Sequence, residues 1–236
     1  MRKYTLIHFL PLSALVLYSA MADAGVIVGA TRIVFDGSKR ETSLSVKNPD
    51  HAPYLIQTWA DSAGPTGKDT DARKPPFIIT PPLFRLDAGK ENMVRIVRNG
   101  DVLPSDRESV FWVNTKSIPA SKHSDKNVLQ ISIKTRIKLF YRPTGIKAPS
   151  ANDYNKVSFS RVGAKLEVSN STPYYLSFSS LRAGSVPLDT TGTMVPPKGS
   201  AEYSLPGSVN VNQVAWQVIN DFGGASQMIH SAVKQR

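Results

Sequence analysis

The chain has 236 residues, a formal net charge of +11 and no cysteine. This length suits one large or two small domains, and the lack of cysteine excludes disulfides, thiol nucleophiles and cysteine metal sites. A basic balance can indicate nucleic acid, but the lysines and arginines are spread along predicted strands and loops, without a basic helix. We therefore expect a solvated basic surface that favours anionic partners, and no nucleic acid.

The first 24 residues have the features of an export signal. Arg2 and Lys3 form a positive start, Leu6–Leu17 is an apolar core, and a small-x-small cleavage pattern ends at Ala24. The apolar core is shorter than the roughly 20 residues that a membrane span needs, and no later segment qualifies. The alternative is a buried N-terminal helix. We predict a signal peptide over 1–24, export, and no membrane span.

The next part of the chain consists of predicted strands separated by turn signals. Asp36-Gly37 between the first two strands is typical of a hairpin. Seven strands at short intervals indicate an immunoglobulin-like sandwich, with Trp59 as its candidate core tryptophan. The predicted strands are Thr31–Phe35, Thr42–Val46, Tyr54–Trp59, Phe77–Thr80, Met93–Val97, Val110–Thr115 and a long strand over Asn127–Pro143.

The long strand is the most informative segment. Leu129, Ile131, Ile133, Ile137 and Leu139 fall on one side and polar residues on the other, which is typical of a half-buried strand. Sixteen residues would extend roughly 50 Å, against about 17–20 Å for a usual strand. One small domain cannot cover that length, so we predict that part of the apolar row is left for a partner. The alternative is that these side chains face their own core.

A segment rich in turn-forming residues follows Pro143 and predicts a domain boundary, giving domains over 25–145 and 146–236. A faint repeat links the halves, since Asn48 and Asn170 each end a strand and precede a Pro-Tyr pair; chance explains it about as well. The predicted strands of the second half are Lys156–Ser160, Ala164–Ser169, Tyr174–Ser180, Ala201–Leu205, Val211–Asn220 and Gln227–Val233.

Motifs for catalysis or metal binding are missing from the sequence. His51, His123 and His230 are widely spaced, whereas a zinc site needs three or four ligands. No P-loop, dinucleotide fingerprint or Gly-x-Ser-x-Gly elbow occurs. We therefore expect no enzyme, no cofactor and no metal. Asn170-Ser171-Thr172 fits a glycosylation sequon, but we interpret it as a turn.

Four segments carry a family resemblance: Thr31–Phe35, Leu103–Pro119 with its Leu-Pro-Ser-Asp-Arg-Glu-Ser start, Ile137–Pro143, and Asn220–Gly224. Together they resemble the periplasmic chaperones that assemble pili in the chaperone–usher pathway. The resemblance implies an all-β fold of two immunoglobulin-like β-sandwich domains in a boomerang arrangement, located in the periplasm.

The resemblance also implies the partners. The clients would be pilus subunits that lack their last strand, and an outer-membrane usher would receive them without ATP or metal. Leu129, Ile131 and Ile133 match the donor side chains that enter the subunit's groove, a case of β-augmentation. Whether the free chaperone hides this edge by self-association stays open.

Two charged groups match the family as well. Arg32 and Lys138 match a basic pair that anchors the subunit's C-terminal carboxylate; the alternative is two ordinary surface charges. Glu108, Arg142 and Asp221 match a network that ties the two domains together, which is a structural role.

The short connection Ser121–Lys126 resembles the short-loop branch of the family. Ala88 stands where relatives often carry proline, and Thr115 stands where they favour an aliphatic residue. Two other functions are kept as rivals, an exported β-sandwich adhesin or lectin and an exported hydrolase.

Overall fold

The computed structural model describes residues 25–68, 74–100, 102–120, 129–207 and 211–235, so the predicted signal and the connection 121–126 lie outside the described residues. The N-terminal half contains β1 (Ile27–Val28), β2 (Arg32–Asp36), β3 (Glu41–Lys47), β4 (Tyr54–Asp61), β5 (Phe77–Thr80), β6 (Leu83–Leu86), β7 (Glu91–Arg98), β8 (Ser109–Pro119) and β9 (Ile133–Arg142). The C-terminal half contains α1 (Ala151–Tyr154), β10 (Val157–Val162), β11 (Lys165–Asn170), β12 (Phe178–Ala183), β13 (Val186–Pro187), β14 (Gly199–Ser204), β15 (Gln213–Val218) and β16 (Ile229–Gln235).

The N-terminal strands form a sandwich of two sheets. One sheet has the strand order β1-β3-β7-β5 and the other has the order β2-β9-β8-β4-β6. Phe35, Phe77, Phe111 and Tyr141 meet in the space between them, with ring centroids 5.2–6.4 Å apart. Burying each such side chain stabilises the fold by roughly 1.5–3 kcal/mol, so this aromatic layer holds the two sheets together.

Two local predictions for this half are wrong. The strands that flank the Asp36-Gly37 turn do not form a hairpin, because β2 pairs in parallel with β9 while β3 pairs with β7 in the other sheet. The Asp36 carboxylate accepts hydrogen bonds from Ser38, which turns the chain across the sandwich. Trp59 is half-buried on the face of β4 opposite the fully buried Ile56, so strand alternation keeps it out of the core.

The C-terminal strands form one seven-stranded sheet that closes around a second core. The order is β13-β12-β15-β16-β10-β11-β14. β16 joins the two halves of this sheet, because residues 229–232 pair antiparallel with β15 and residues 233–235 pair parallel with β10. Trp216 is fully buried between Phe159 and Phe178, at centroid distances of 5.6 and 5.7 Å. Trp216 is therefore the core tryptophan of this domain, whereas the buried tryptophan of the first domain is Trp112 at 6% exposure and not the predicted Trp59.

Each domain contains the same asparagine-centred corner. The Nδ2 group of Asn48 donates to two backbone carbonyls at 2.8 and 3.1 Å, and its Oδ1 accepts the amide of residue 50 at 3.0 Å. Asn170 repeats the three contacts at 2.8, 2.9 and 3.0 Å. The faint sequence repeat thus corresponds to a shared corner. The Asn170 side chain is buried and bonded within the chain, as expected of a turn.

The remaining differences concern short or irregular segments. The sequence does not predict β1, β6 and β13, which have two, four and two residues. The two-residue strands β1 and β13 are too short to show alternation. The predicted strand Tyr174–Ser180 begins only at Phe178. Its first residues instead contact the N-terminal domain, since the amide of Tyr175 donates to Glu108 at 2.8 Å.

Candidate functional site

β9 is paired along its length on one side but only along its second half on the other. β8 pairs with it from Ile133 to Tyr141, whereas β2 pairs only with residues 138–142. The residues ahead of β2 belong to the other sheet, where β1 pairs with β3. Among the residues that the structure describes, no strand covers the edge of residues 133–137. Such an edge offers backbone groups to which an added strand can bond.

The apolar row of the long strand passes from the domain core into solvent beside this edge. Ile137 and Leu139 are 7% and 0% exposed, whereas Ile133, Ile131 and Leu129 are 53%, 64% and 85% exposed. The first three residues of the row therefore do not face their own core. Exposed apolar rows of this kind mark surfaces that bind partners.

The strand itself is shorter than the sequence pattern predicts. β9 begins at Ile133, and residues 129–132 form no strand. Pairing with β8 ends at Ser117 opposite Ile133, and beyond it the side chain of Gln130, rather than its backbone, donates to the Pro119 carbonyl at 2.5 Å. Apolar alternation alone does not form a strand here, because the backbone groups lack a partner strand.

Arg32 and Lys138 lie together where the open edge ends. They are direct register partners on β2 and β9. Both side chains reach the C-terminal domain, because Arg32 Nη1 donates to the Ile219 carbonyl at 2.9 Å and Lys138 Nζ donates to the Ser177 hydroxyl at 3.1 Å. In the described part of the chain neither residue forms an ion pair, and Arg32 Nε is buried without a hydrogen-bond partner.

Holding these two cations together is electrostatically unfavourable. Burial lowers the pKa of Lys138, and the charge of Arg32 lowers it further. Burial also lowers the pKa of Arg32, although Asp221 and Glu108 oppose that shift. An anion bound between the two groups would relieve the repulsion. A carboxylate suits the pair, because arginine offers a planar fork of donors and lysine a mobile charge.

Glu108, Arg142 and Asp221 form one charged network between the domains. The Arg142 guanidinium donates to Glu108 Oε1 at 2.9 and 2.8 Å and to both Asp221 oxygens at 2.7 and 2.8 Å. The side chains of Arg142 and Glu108 are 10% and 3% exposed. The structure therefore brings together all three residues of the expected network, with Asp221 contributed by the second domain.

Burial disfavours the charged forms of these residues, and the hydrogen bonds and opposite charges within the network favour them. Burial raises the pKa of Glu108, while Arg142 and the Tyr175 amide oppose that shift. Burial alone would lower the pKa of Arg142, but Asp221 and Glu108 raise it overall. A buried set of this kind adds little stability over an apolar one, yet breaking it is costly. Because Asp221 belongs to the second domain, the network bonds the two domains to each other through Arg142.

The sequence does not predict two further polar contacts. Lys198 Nζ donates to Asp106 at 2.6 Å and forms a second, more exposed ion pair across the domain junction. Asp61 and Asn114 bind the Arg136 guanidinium on the outer face of the β8–β9 pair. Only the position of Arg136 on the polar side of the long strand hints at the second contact. No helix among the described residues is long and apolar enough to cross a membrane.

Comparisons with known proteins match both domains. The PapD N-terminal domain of pili and flagellar-assembly chaperones matches residues 25–147, and the PapD C-terminal domain of pili-assembly chaperones matches residues 152–230. The chaperone protein LpfB of Salmonella typhimurium is 44% identical over 214 residues, covering 89% of this chain and 89% of LpfB.

Solved structures agree with this assignment. The complex of the Salmonella enterica SafA pilin with the SafB chaperone contains a chain that is 33% identical, with a TM-score of 0.79 over 88% of this chain and 96% of that one. The periplasmic chaperone SfaE is 38% identical, with a TM-score of 0.73 over 89% of this chain and 100% of that one. The chain therefore belongs to the PapD family of pili-assembly chaperones, with the family's two immunoglobulin-like domains.

Proposed function

We propose that this protein is a periplasmic chaperone that binds pilus subunits by donor-strand complementation and delivers them to an outer-membrane usher. The observation that carries the proposal is the exposed apolar row beside the open edge of β9. This row lies next to a cation pair that, among the described residues, forms no ion pair with a carboxylate. Chaperone–pilin complementation is itself one of the known forms of strand addition. The family favours this function over that of an adhesin or a hydrolase, and we expect no catalytic activity.

The donor row supplies the main driving force. A subunit that lacks its last strand exposes a groove of apolar core and unpaired backbone groups, which invites aggregation. Leu129, Ile131 and Ile133 would fill that groove. Burying each fully is worth roughly 1.5–3 kcal/mol, or about 5–9 kcal/mol for all three. The gain is smaller in practice, because residues 129–132 must adopt strand conformation and the partners must dock.

The cation pair would set the register and direction of the bound strand. Apolar alternation leaves the register free in steps of two residues, and a carboxylate held by Arg32 and Lys138 removes that freedom. The pair lies at the end of the open edge that adjoins β2. A strand whose C-terminus ends there must run in the same direction as β9.

The proposed function also implies a signal segment, two domains and a fixed angle between them. We propose a cleaved signal over 1–24, and domains over 25–145 and 146–236. Two separate buried clusters support the two domains, one built from residues 33–141 and the other from residues 157–233. Glu108, Arg142 and Asp221 would keep the cleft between these domains at one angle, and so keep the cation pair aligned with the donor edge.

The test is to introduce a charge into the donor row. Ile131→Asp should leave the free protein folded, because the side chain is 64% exposed, but should prevent it from holding subunits in solution. Ser132→Asp is the matched control, since this exposed neighbour lies on the other side of the row. Affinity purification from periplasm, followed by identification of the bound proteins, measures the outcome. Normal recovery of subunit with Ile131→Asp would refute the donor assignment.

A further inference from the structure

Asp61 is held by four hydrogen-bond donors on the outer face of the N-terminal domain. Arg136 donates to both carboxylate oxygens at 2.6 Å. Asn114 Nδ2 donates to Oδ2 at 2.7 Å, and the amide of Ala63 donates to Oδ1 at 2.9 Å. A carboxylate offers about four acceptor positions, so these donors leave no acceptor position on Asp61 for another cation.

The same residue lies in one cross-strand row with the cation pair. Asp61 is the register partner of Trp112 on β8, and Trp112 is the register partner of Lys138 on β9. Two strand spacings of about 4.8 Å place the Cα atoms of Asp61 and Lys138 roughly 10 Å apart. The Arg136 guanidinium lies over the intervening Trp112 ring, 5.1 Å from its centroid. Arg136 therefore sits above the residue that separates the carboxylate from Lys138.

We propose that Arg136 is a positioning residue that neutralises Asp61 and holds it away from Lys138, so that the carboxylate anchor stays free for the subunit. This inference rests on the proposed anchoring role of Arg32 and Lys138. Without Arg136, the Asp61 carboxylate would attract Lys138 and repel an incoming carboxylate. If the freed carboxylate and the ammonium group lay as far apart as their Cα atoms, roughly 10 Å, their interaction near a protein surface would change an equilibrium by about tenfold.

Three further hydrogen bonds fix the orientation of the Arg136 and Asp61 side chains. Arg136 donates in addition to the Gly64 carbonyl at 2.6 Å and to Asn114 Oδ1 at 2.8 Å, which fixes its guanidinium plane. Asn114 is fully buried and bonds both members of the pair. The carboxylate is thereby turned toward the loop after β4, whereas Lys138 points to Ser177 in the other domain.

The test measures the pKa of the Lys138 ammonium group by NMR in the isotope-labelled, full-length mature protein. Arg136→Met should raise the pKa of Lys138, because Asp61 becomes free to act on it. Arg136→Met combined with Asp61→Asn should return the pKa to the wild-type value. Arg95→Met is the matched control, since it removes the same charge from an exposed ion pair with Glu41 on the opposite sheet. It should leave the pKa of Lys138 unchanged.

Binding of N-acetylglycine, with N-acetylglycinamide as its uncharged counterpart, gives a second readout. Arg136→Met should weaken N-acetylglycine binding about tenfold, and the double variant should restore it. A purely structural role predicts no such rescue of binding, so an unchanged pKa in Arg136→Met, or no rescue by Asp61→Asn, would overturn the inference. If the wild type does not distinguish acid from amide, the anchor itself is wrong, while the pKa series still decides the role of Arg136.

Discussion

At the scale of one residue, the charge of Lys138 affects both the stability of the free protein and its proposed affinity for an anionic ligand. Its ammonium group is partly buried beside Arg32 and donates a hydrogen bond to the Ser177 hydroxyl. Both burial and the neighbouring charge lower its pKa from 10.5. The folded state therefore carries an electrostatic penalty at neutral pH. An anionic ligand would remove that penalty, so in the proposed role the residue would lower the stability of the free protein and raise its affinity for the ligand.

Replacing this charge should separate the two effects. Lys138→Met should make the free protein more stable at neutral pH. The gain should shrink as pH rises from the lowered pKa of Lys138 toward 10.5, because both states of the wild type are then deprotonated. Denaturant unfolding across this pH range measures the difference.

The same variant should bind less well. The C-terminal peptide of the captured subunit should lose about tenfold or more in affinity, since a hydrogen bond to a charged group is worth about 1.5–3 kcal/mol. Lys134→Met, an exposed position on the same face of β9, is the control. Equal loss of affinity in both variants would indicate general charge steering instead of an anchor.

At the scale of one element, β9 and the residues before it carry a single apolar row that is buried at one end and exposed at the other. Its buried end completes the N-terminal sandwich, and its exposed end is available to another chain. The change occurs between Ile137 and Ile133, where β2 no longer flanks the strand. The burial of each position is therefore set by the neighbouring strand and not by its residue type.

The same isoleucine-to-alanine substitution should affect stability at one end of this row and subunit binding at the other. Ile137→Ala should lower the free energy of unfolding by about 2–5 kcal/mol, as for other buried positions. Ile131→Ala should change it by less than about 0.5 kcal/mol, yet reduce recovery of bound subunit. Chemical denaturation and affinity capture of both variants measure these outcomes. A large loss of stability in Ile131→Ala would mean that the row packs on its own domain.

At the scale of the whole molecule, both domains contribute to the surroundings of the cation pair. Arg32 and Lys138 belong to the first domain, while Ser177 and the Ile219 carbonyl, which hold their side chains, belong to the second. Arg142 bonds one carboxylate from each domain. A change in the angle between domains would therefore alter the anchor without changing any anchor residue.

Removing the shared cation should destabilise the junction. Arg142→Met leaves Glu108 buried without its counter-ion, and we expect a loss of about 3–5 kcal/mol together with a wider range of domain orientations in small-angle scattering. Adding Glu108→Gln should recover part of the stability, since no buried charge then remains unpaired. Unaltered scattering and stability in Arg142→Met would argue against an orienting role.

The sequence alone predicts some features of this structure and not others. Alternation along residues 129–139 predicts an apolar row longer than its domain, because the period of two is local to the chain. Turn residues likewise predict most strand positions. Neither signal predicts the strands β1 and β13, because a strand of two residues is too short to show a period of two. The roles proposed for Arg32 and Lys138 rest on the family resemblance and not on spacing, because the two residues are 106 positions apart in the chain.

The sequence by itself determined the all-β character, the alternating apolar row and the absence of cysteine chemistry. Only the tertiary structure decided that the row leaves its core at Ile133, that Asp36-Gly37 connects opposite sheets, and that Asp61 is bound by Arg136. The physical reason is that each of these depends on which strand lies beside which. Strand pairing joins residues far apart in the chain, and neither local propensity nor periodicity records it.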